Sequence, residues 1–374
     1  VSKIRVLIVD DSMVIRRILS DALSADPSIE VVGTAANGKI ALGKLDQLRP
    51  DLVTLDIEMP EMDGLETLTE IRKRLPRLPV IMFSTLTQRG AEATLDALAR
   101  GASDYVTKPA NVGSVHAAIQ SVQAELIPRI KLFCLGASAL VKPALARGDS
   151  RPGGTSGLAP VAKDSHAVRA ARYDALVIGA STGGPNALAK VLPLLPANFP
   201  MPVLVTQHMP PVFTAQLADR LNHACALTVR EAREGDLVGP GGVWIAPGDY
   251  HMTLRRAGTQ LQVALNQNAP ENSCRPAVDV MFRSAVDLFG PNLLAVILTG
   301  MGQDGMRGCE VVRRAGGRVI AQDQATSVVW GMPGAVTNAG LANHVVPLES
   351  VAQEIAIHAK TGRLARTSTP IGVA

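Results

Sequence analysis

The stretch Leu52-Val53-Thr54-Leu55-Asp56-Ile57-Glu58-Met59-Pro60-Glu61-Met62-Asp63-Gly64 decides how the first third of the chain is read. Four residues suited to a strand buried on both faces run into an aspartate. A turn rich in Pro, Asp and Gly follows, which continues neither strand nor helix. A helical pattern then occupies 64–74. The same unit recurs on either side. Short apolar runs at 6–9, 31–35, 80–83 and 105–106 alternate with amphipathic stretches near 13–25, 38–48, 89–100 and 112–125. Five such repeats predict a doubly wound (βα)5 domain over residues 1–125, its parallel sheet covered on both faces.

The whole chain has 374 residues, 47% hydrophobic and 19% charged, which is a globular composition and long enough for two domains. The net charge of +4 and a pI near 9.0 raise the question of nucleic acid. Six Phe, three Tyr and two Trp leave little with which to stack bases. The charge is also unevenly placed, at −1 over 1–136, +4 over 137–172 and +1 over 173–374, so two nearly neutral domains flank a basic linker. No nucleic-acid partner is expected. No apolar stretch approaches the ~20 residues of a membrane span, so no membrane insertion is expected. The run at 6–9 ends in two acids and reads as a strand, not a signal peptide. Cys134, Cys225, Cys274 and Cys309 are far apart with no C-x-x-C, so neither a disulfide framework nor a zinc site is expected and a reducing, cytoplasmic location is.

In a parallel sheet all strand C-termini lie on one edge, where open α/β folds bind ligands. Asp10 and Asp11, Asp56, Ser84 and Lys108 each follow or end a predicted strand, so they converge there. Each alone would be an ordinary turn residue; at successive strand ends they form a constellation. Three carboxylates together call for a counter-charge, and a hard divalent cation such as Mg2+ takes oxygen ligands. Beside it an aspartate carboxylate can accept a phosphoryl group. On the motifs Val9-Asp10-Asp11-Ser12, Leu55-Asp56 through Gly64, Phe83-Ser84-Thr85 and Thr107-Lys108-Pro109, this segment resembles the response-regulator receiver domain. The resemblance implies phosphorylation of Asp56 by a histidine kinase. It implies Mg2+ on Asp10, Asp11, Asp56 and the backbone carbonyl of Glu58, phosphate sensing by Ser84 and Lys108 with Tyr105 as rotamer switch, and a cis Lys108–Pro109 bond.

Residues 126–172 are expected to form a linker, low in complexity from about 137. Strand and helix alternation resumes at 174–179 and returns at 203–206, 293–298 and 318–321. Residues 242–265 read as a β-hairpin region interrupting it, and 349–362 as a closing helix. A second α/β domain with a mainly parallel sheet and a hairpin insertion is therefore expected over 173–362, followed by a tail at 363–374.

Gly179-Ala180-Ser181-Thr182-Gly183-Gly184-Pro185 joins a predicted strand to a predicted helix. G-x-S-x-G at such a turn exposes a serine hydroxyl, and the absence of a following Gly-Lys-Ser/Thr excludes a P-loop. His208 follows the next strand, and Asp304 follows the strand ending Leu298-Thr299-Gly300-Met301. All three share one sheet edge, which suits a nucleophile, a base and an acid bonded to His208 Nδ1–H. His344 and His358 could supply the base in an α/β-hydrolase order, but neither closes a strand at that edge. Asp304 could equally cap the helix after it.

With Gln207-His208-Met209-Pro210, residues 245–252, Thr299 through Gly305 and Gly331-Met332-Pro333, this half resembles the catalytic domain of chemotaxis-type protein-glutamate methylesterases. The resemblance implies a triad of Ser181, His208 and Asp304, with Thr182 and the Met301 amide near the oxyanion. His251 and residues 275–284 would shape the cleft. It further implies chemoreceptors as substrate, a chemotaxis histidine kinase as phosphoryl donor, no cofactor for the esterase, and glutaminase activity. A catalytically dead binding module is disfavoured by the intact triad. A DNA-binding output is disfavoured by α/β patterning without a helix-turn-helix.

Overall fold

The computed structural model describes residues 3–109, 114–135 and 173–364. Most of the linker and the tail beyond 364 therefore lie outside the described residues. In the first domain, β1 (Ile4–Val9), α1 (Met13–Ser24), β2 (Ile29–Ala35), α2 (Gly38–Leu48), β3 (Leu52–Asp56), α3 (Gly64–Arg74), β4 (Val80–Ser84), α4 (Gln88–Ala99), β5 (Asp104–Thr107) and α5 (Val115–Leu135) alternate as expected. The sheet order is β2-β1-β3-β4-β5, and its pairs are parallel. Every residue of β3 and β4 is buried, as continuous apolar strands between two helical layers require.

Helix starts are fixed locally. Asp63 accepts from the Glu66 amide at 2.8 Å while Glu66 reaches back to the Asp63 amide at 3.3 Å, a reciprocal cap on α3. Helix α5 runs ten residues past position 125, to Leu135, so the segment expected as linker begins in helix. Its buried residues Leu126 and Ile130 explain why it continues.

The second domain comprises β6 (Ala175–Ala180), α6 (Gly184–Val191), β7 (Val203–Gln207), α7 (Phe213–Ala224), β8 (Thr228–Glu231), β9 (Gly242–Ile245), β10 (His251–Ala257), β11 (Gln260–Asn266), α8 (Val278–Phe289), β12 (Leu293–Ile297), α9 (Met306–Arg314), β13 (Arg318–Gln322), α10 (Met332–Asn338), β14 (His344–Val346) and α11 (Leu348–Leu364). Seven strands pair in the order β14-β13-β12-β6-β7-β9-β8, all parallel. The α/β class with a mainly parallel sheet is as expected. The hairpin is narrower than expected. Among the described strands only β10 and β11 pair antiparallel, whereas β9 is a buried strand of the main sheet between β7 and β8. Its four residues are apolar throughout, which suits a strand covered on both faces better than a half-exposed hairpin arm.

The chain leaves β6 toward β7 on one side and returns through β12 on the other. The loops after β12, β6 and β7 are thus side by side at a reversal of strand order, where such sheets bind ligands. The two domains share a core. Leu95, Leu98 and Tyr105 of the first belong to one buried apolar cluster with Leu188, Phe213 and Leu217 of the second.

Candidate active site

Ser181 lies just past β6. Its amide donates to the Thr299 carbonyl at 3.0 Å, and its carbonyl accepts from the Gly184 amide at 2.7 Å, which closes the turn into α6. Gly183 sits at φ +78°, and Val328 atoms lie 2.7 Å from where its Cβ would be, so both conformation and space exclude a side chain. His208 follows β7, its amide held by the Ala180 carbonyl at 3.1 Å. Asp304 follows β12 and is 2% exposed.

Asp304 Oδ2 lies 2.8 Å from His208 Nε2 and accepts from the Val278 amide at 2.6 Å. Its Oδ1 accepts from the Asp279 and Gly305 amides at 3.1 and 3.0 Å and from Asn272 Nδ2 at 2.9 Å. The carboxylate therefore does cap a helix, but α8 and not the one that follows it. Burial alone would raise its pKa; the His208 bond and the α8 amides outweigh that and hold it below the usual carboxylate range.

The geometry corrects one expectation. Asp304 engages Nε2, not Nδ1, so Nδ1 is the nitrogen left facing the cleft. Cys274 Sγ sits 3.5 Å from it, and among the described residues no hydrogen bond joins Nδ1 to Ser181. Cys274 is delivered by a tight loop. Asn272 and Ser273 have φ of 51° and 62°, and the Glu271 and Cys274 backbones exchange hydrogen bonds of 3.1 and 2.8 Å. Burial lowers the His208 pKa, but the bonds to Asp304 and Cys274 prevail and push it up to about 10.

Two contributors were not expected. One is Cys274. The other is Gln207, buried at the end of β7, whose Nε2 donates to the Ser181 carbonyl at 2.9 Å and to the His208 carbonyl at 3.3 Å. The adjacency of Gln207 to His208 was the only signal for it; the loop carrying Cys274 gave none.

Thr182 Oγ1 donates to Asp104 Oδ2 of the first domain at 3.1 Å, so its hydroxyl is taken up by the domain interface. Met301 lines a cavity of about 630 Å3 with Ser181, Thr182, His208 and Cys274; Asp104, Tyr105, Glu125 and Arg129 close it from the first domain. Both ring nitrogens of His251 are satisfied by backbone, with Nδ1 accepting from the Ala277 amide at 3.2 Å and Nε2 against the Ala269 carbonyl at 3.1 Å. It supports the start of α8. His344 and His358 lie elsewhere, on β14 and α11.

The first domain's strand-end residues also converge. Lys108 Nζ lies 2.9 Å from Asp10 Oδ2 and 2.7 Å from Asp56 Oδ2. Carboxylate oxygens of Asp10, Asp11 and Asp56 lie within 4.8 Å of one another. Burial, then the Asp10 charge, pushes the Asp56 pKa up to about 6 against the pull of Lys108. An all-oxygen donor set with this much excess negative charge fits Mg2+. Asp11, Asp56, Glu58, Ser84 and Lys108 line one cleft of about 180 Å3. The Glu58 carboxylate points instead to Arg89, 3.3 Å away. Ser84 Oγ donates to the Gly90 carbonyl at 3.1 Å and accepts from Thr94 at 2.8 Å. Tyr105 turns the other way, stacked on Phe213 with centroids 5.0 Å apart and planes at 6°. The cis peptide bond among the described residues is Arg275–Pro276, not Lys108–Pro109.

The family profile described as CheB methylesterase matches residues 176–355, and that of the response regulator receiver domain matches 6–120. A Trichodesmium erythraeum protein named protein-glutamate methylesterase/protein-glutamine glutaminase is 52% identical over 353 residues, covering 94% of this chain and 98% of its own. A Nocardioides protein of the same name is 56% identical over 357 residues, 94% of each chain. The crystal structure of the Thermotoga maritima CheB methylesterase catalytic domain is 45% identical with a TM-score of 0.48, covering 49% of this chain and 97% of that one. With near-complete coverage of such relatives, and a receiver and a methylesterase domain in the same order, the chain belongs to the protein-glutamate methylesterase/protein-glutamine glutaminase family.

Proposed function

We propose that this chain hydrolyses γ-methyl esters of glutamate on chemoreceptors through Ser181, His208 and Asp304, and that phosphorylation of Asp56 releases the activity. The adjacency of the β12, β6 and β7 loops, with His208 bonded to Asp304 at 2.8 Å, carries this reading. His208 Nδ1 takes the Ser181 Oγ proton as Oγ attacks the ester carbonyl. The oxyanion is met by the Met301 amide, with Thr182 beside it. Collapse expels methanol, which leaves with the proton from His208. Water then attacks the acyl-enzyme with His208 as base, giving the glutamate carboxylate and free Ser181. A receptor glutamine amide follows the same course and releases ammonia. Asp304, fixed by the α8 amides, holds the ring and stabilises the imidazolium.

In the docked arrangement two features oppose turnover. The first domain closes the cavity over Ser181, and Asp104 holds the Thr182 hydroxyl. In the receiver, Asp56 is the phosphoryl acceptor from a histidine kinase. Asp10, Asp11, Asp56 and the Glu58 carbonyl would hold Mg2+, which when bound offsets carboxylate and phosphoryl charge. Lys108 and Ser84 would meet the phosphoryl oxygens, and Tyr105 would relay the change through its Phe213 stack. The esterase itself is proposed to need no cofactor.

The test is methanol release from methylated receptor membranes, with and without a small acyl-phosphate donor. Release is expected to rise with the donor and to vanish in Ser181→Ala. Retained release in that variant would overturn the triad. Removing residues 1–136 is expected to raise the basal rate; an unchanged or lower rate would argue against occlusion.

A further inference from the structure

The second domain carries a cluster of metal-ligating side chains remote from Ser181. Glu354 and His358 lie four residues apart on α11 and so share a face. His344 opens β14, the edge strand of the seven-stranded sheet, and meets them there. Glu354 Oε1 is 3.1 Å from His344 Nδ1 and 3.2 Å from His358 Nε2, and the three donor atoms lie within 4.8 Å of one another. Side-chain exposure is 39% for His344, 17% for Glu354 and 9% for His358, so the group is walled on the protein side and open at the edge.

We propose that His344, Glu354 and His358 form a binding site for a zinc-type divalent cation, with water completing the coordination. Two imidazoles and one carboxylate are a borderline N2O set. Zn2+ takes such ligands at about 2.0–2.2 Å, whereas Mg2+ prefers oxygen alone. Nitrogen-to-oxygen separations near 3.1 Å admit one ion of that radius between them with small side-chain shifts. The cysteine spacing that argued against zinc in the sequence has no bearing on this set, which contains none.

Both imidazoles direct a ring nitrogen at the Glu354 carboxylate, and Arg318 Nη1 donates to His344 Nε2 at 3.1 Å. Metal binding needs the lone pairs of His344 Nδ1 and His358 Nε2. Each ring then carries its proton on the other nitrogen. His344 Nε2–H would face the Arg318 donor, so Arg318 must swing out, and its charge opposes the cation at short range. Arg318 therefore weakens the site, while the bound ion would pin α11 to the sheet edge.

The test uses the full chain, stripped with a chelator and kept in excess Mg2+ so that the receiver cleft does not compete. Zn2+ titration followed by calorimetry is expected to show one equivalent bound, with a rise in the thermal unfolding midpoint. His344→Ala/His358→Ala should abolish both, and Glu354→Gln should weaken binding at least tenfold. Arg318→Gln should tighten it severalfold, a gain that misfolding cannot mimic. No binding by the wild-type chain, binding undiminished in the double variant, or an unchanged affinity in Arg318→Gln would each overturn the proposal.

Discussion

At the scale of residues, the His208 ring carries the most information. Sequence placed it beside Ser181 and Asp304 because all three end neighbouring parallel strands. It gave no means of telling which nitrogen meets Asp304, since that depends on where α8 presents its amides and where the 271–276 loop sets Cys274. With Nε2 on Asp304 and Nδ1 on Cys274, both partners favour the imidazolium. The sign of the pH effect follows. The raised pKa contributes stability that is whole below about 6.5 and fades as pH climbs toward about 10. The basic form gains population over the same window, so methanol release should increase with alkalinity. Cys274→Ala removes one of the groups that raise the pKa, and the midpoint of the pH–rate profile should move acidic by roughly one unit. An unmoved midpoint would show that Asp304 alone sets the proton affinity.

At the scale of elements, strands and helices were largely legible because buried parallel strands are continuously apolar and helix starts carry local caps. Short strands were not. Thr228–Glu231 has four residues with one buried, and Gly242–Ile245 looks like a hairpin arm until its partners β7 and β8 are known. The turn after β3 shows how tightly an element fixes the site. A Cβ on Gly64 would lie 2.1 Å from the Asp56 carbonyl oxygen and 2.8 Å from Ile57 Cα, backbone atoms that cannot give way. Gly64→Ala should destabilise the first domain by about 1–3 kcal/mol, read as a lower urea midpoint for receiver unfolding. It should also slow phosphorylation, because the displaced backbone carries Asp56. The acid cluster makes a matching prediction. Mg2+ should raise the receiver's melting temperature, and the rise should be lost in Asp11→Asn, whose fold has little reason to change because that side chain is exposed.

At the scale of the whole molecule, the interface closes the cavity that holds Ser181. Tyr105 on Phe213, Asn186 Nδ2 on the Leu98 carbonyl at 2.8 Å, Thr182 on Asp104, and Arg220 on Asp96 at 2.6 Å tie α4 and β5 to the second domain. The Arg220–Asp96 pair is 40% and 44% exposed, so breaking it should cost the docked state at most about 1 kcal/mol. Reversing one charge adds repulsion, and Asp96→Arg should raise basal methanol release by about two- to fivefold. Asp96→Arg combined with Arg220→Asp should return it toward wild type. Failure of the double reversal to restore repression would remove this pair from the docking contact.

Two α/β domains, the strand ends that carry polar groups, and the convergence of those groups on one edge of each sheet are all legible in the order of residues. These follow from local patterning and from the fixed polarity of parallel strands. The packed fold is what sets β9 inside the sheet, Asp304 as cap of α8 while it holds Nε2, Cys274 against His208, and Thr182 on Asp104 across the interface. Those depend on strand order, rotamers and contacts between residues 26 to 96 positions apart, which neighbouring residues do not encode.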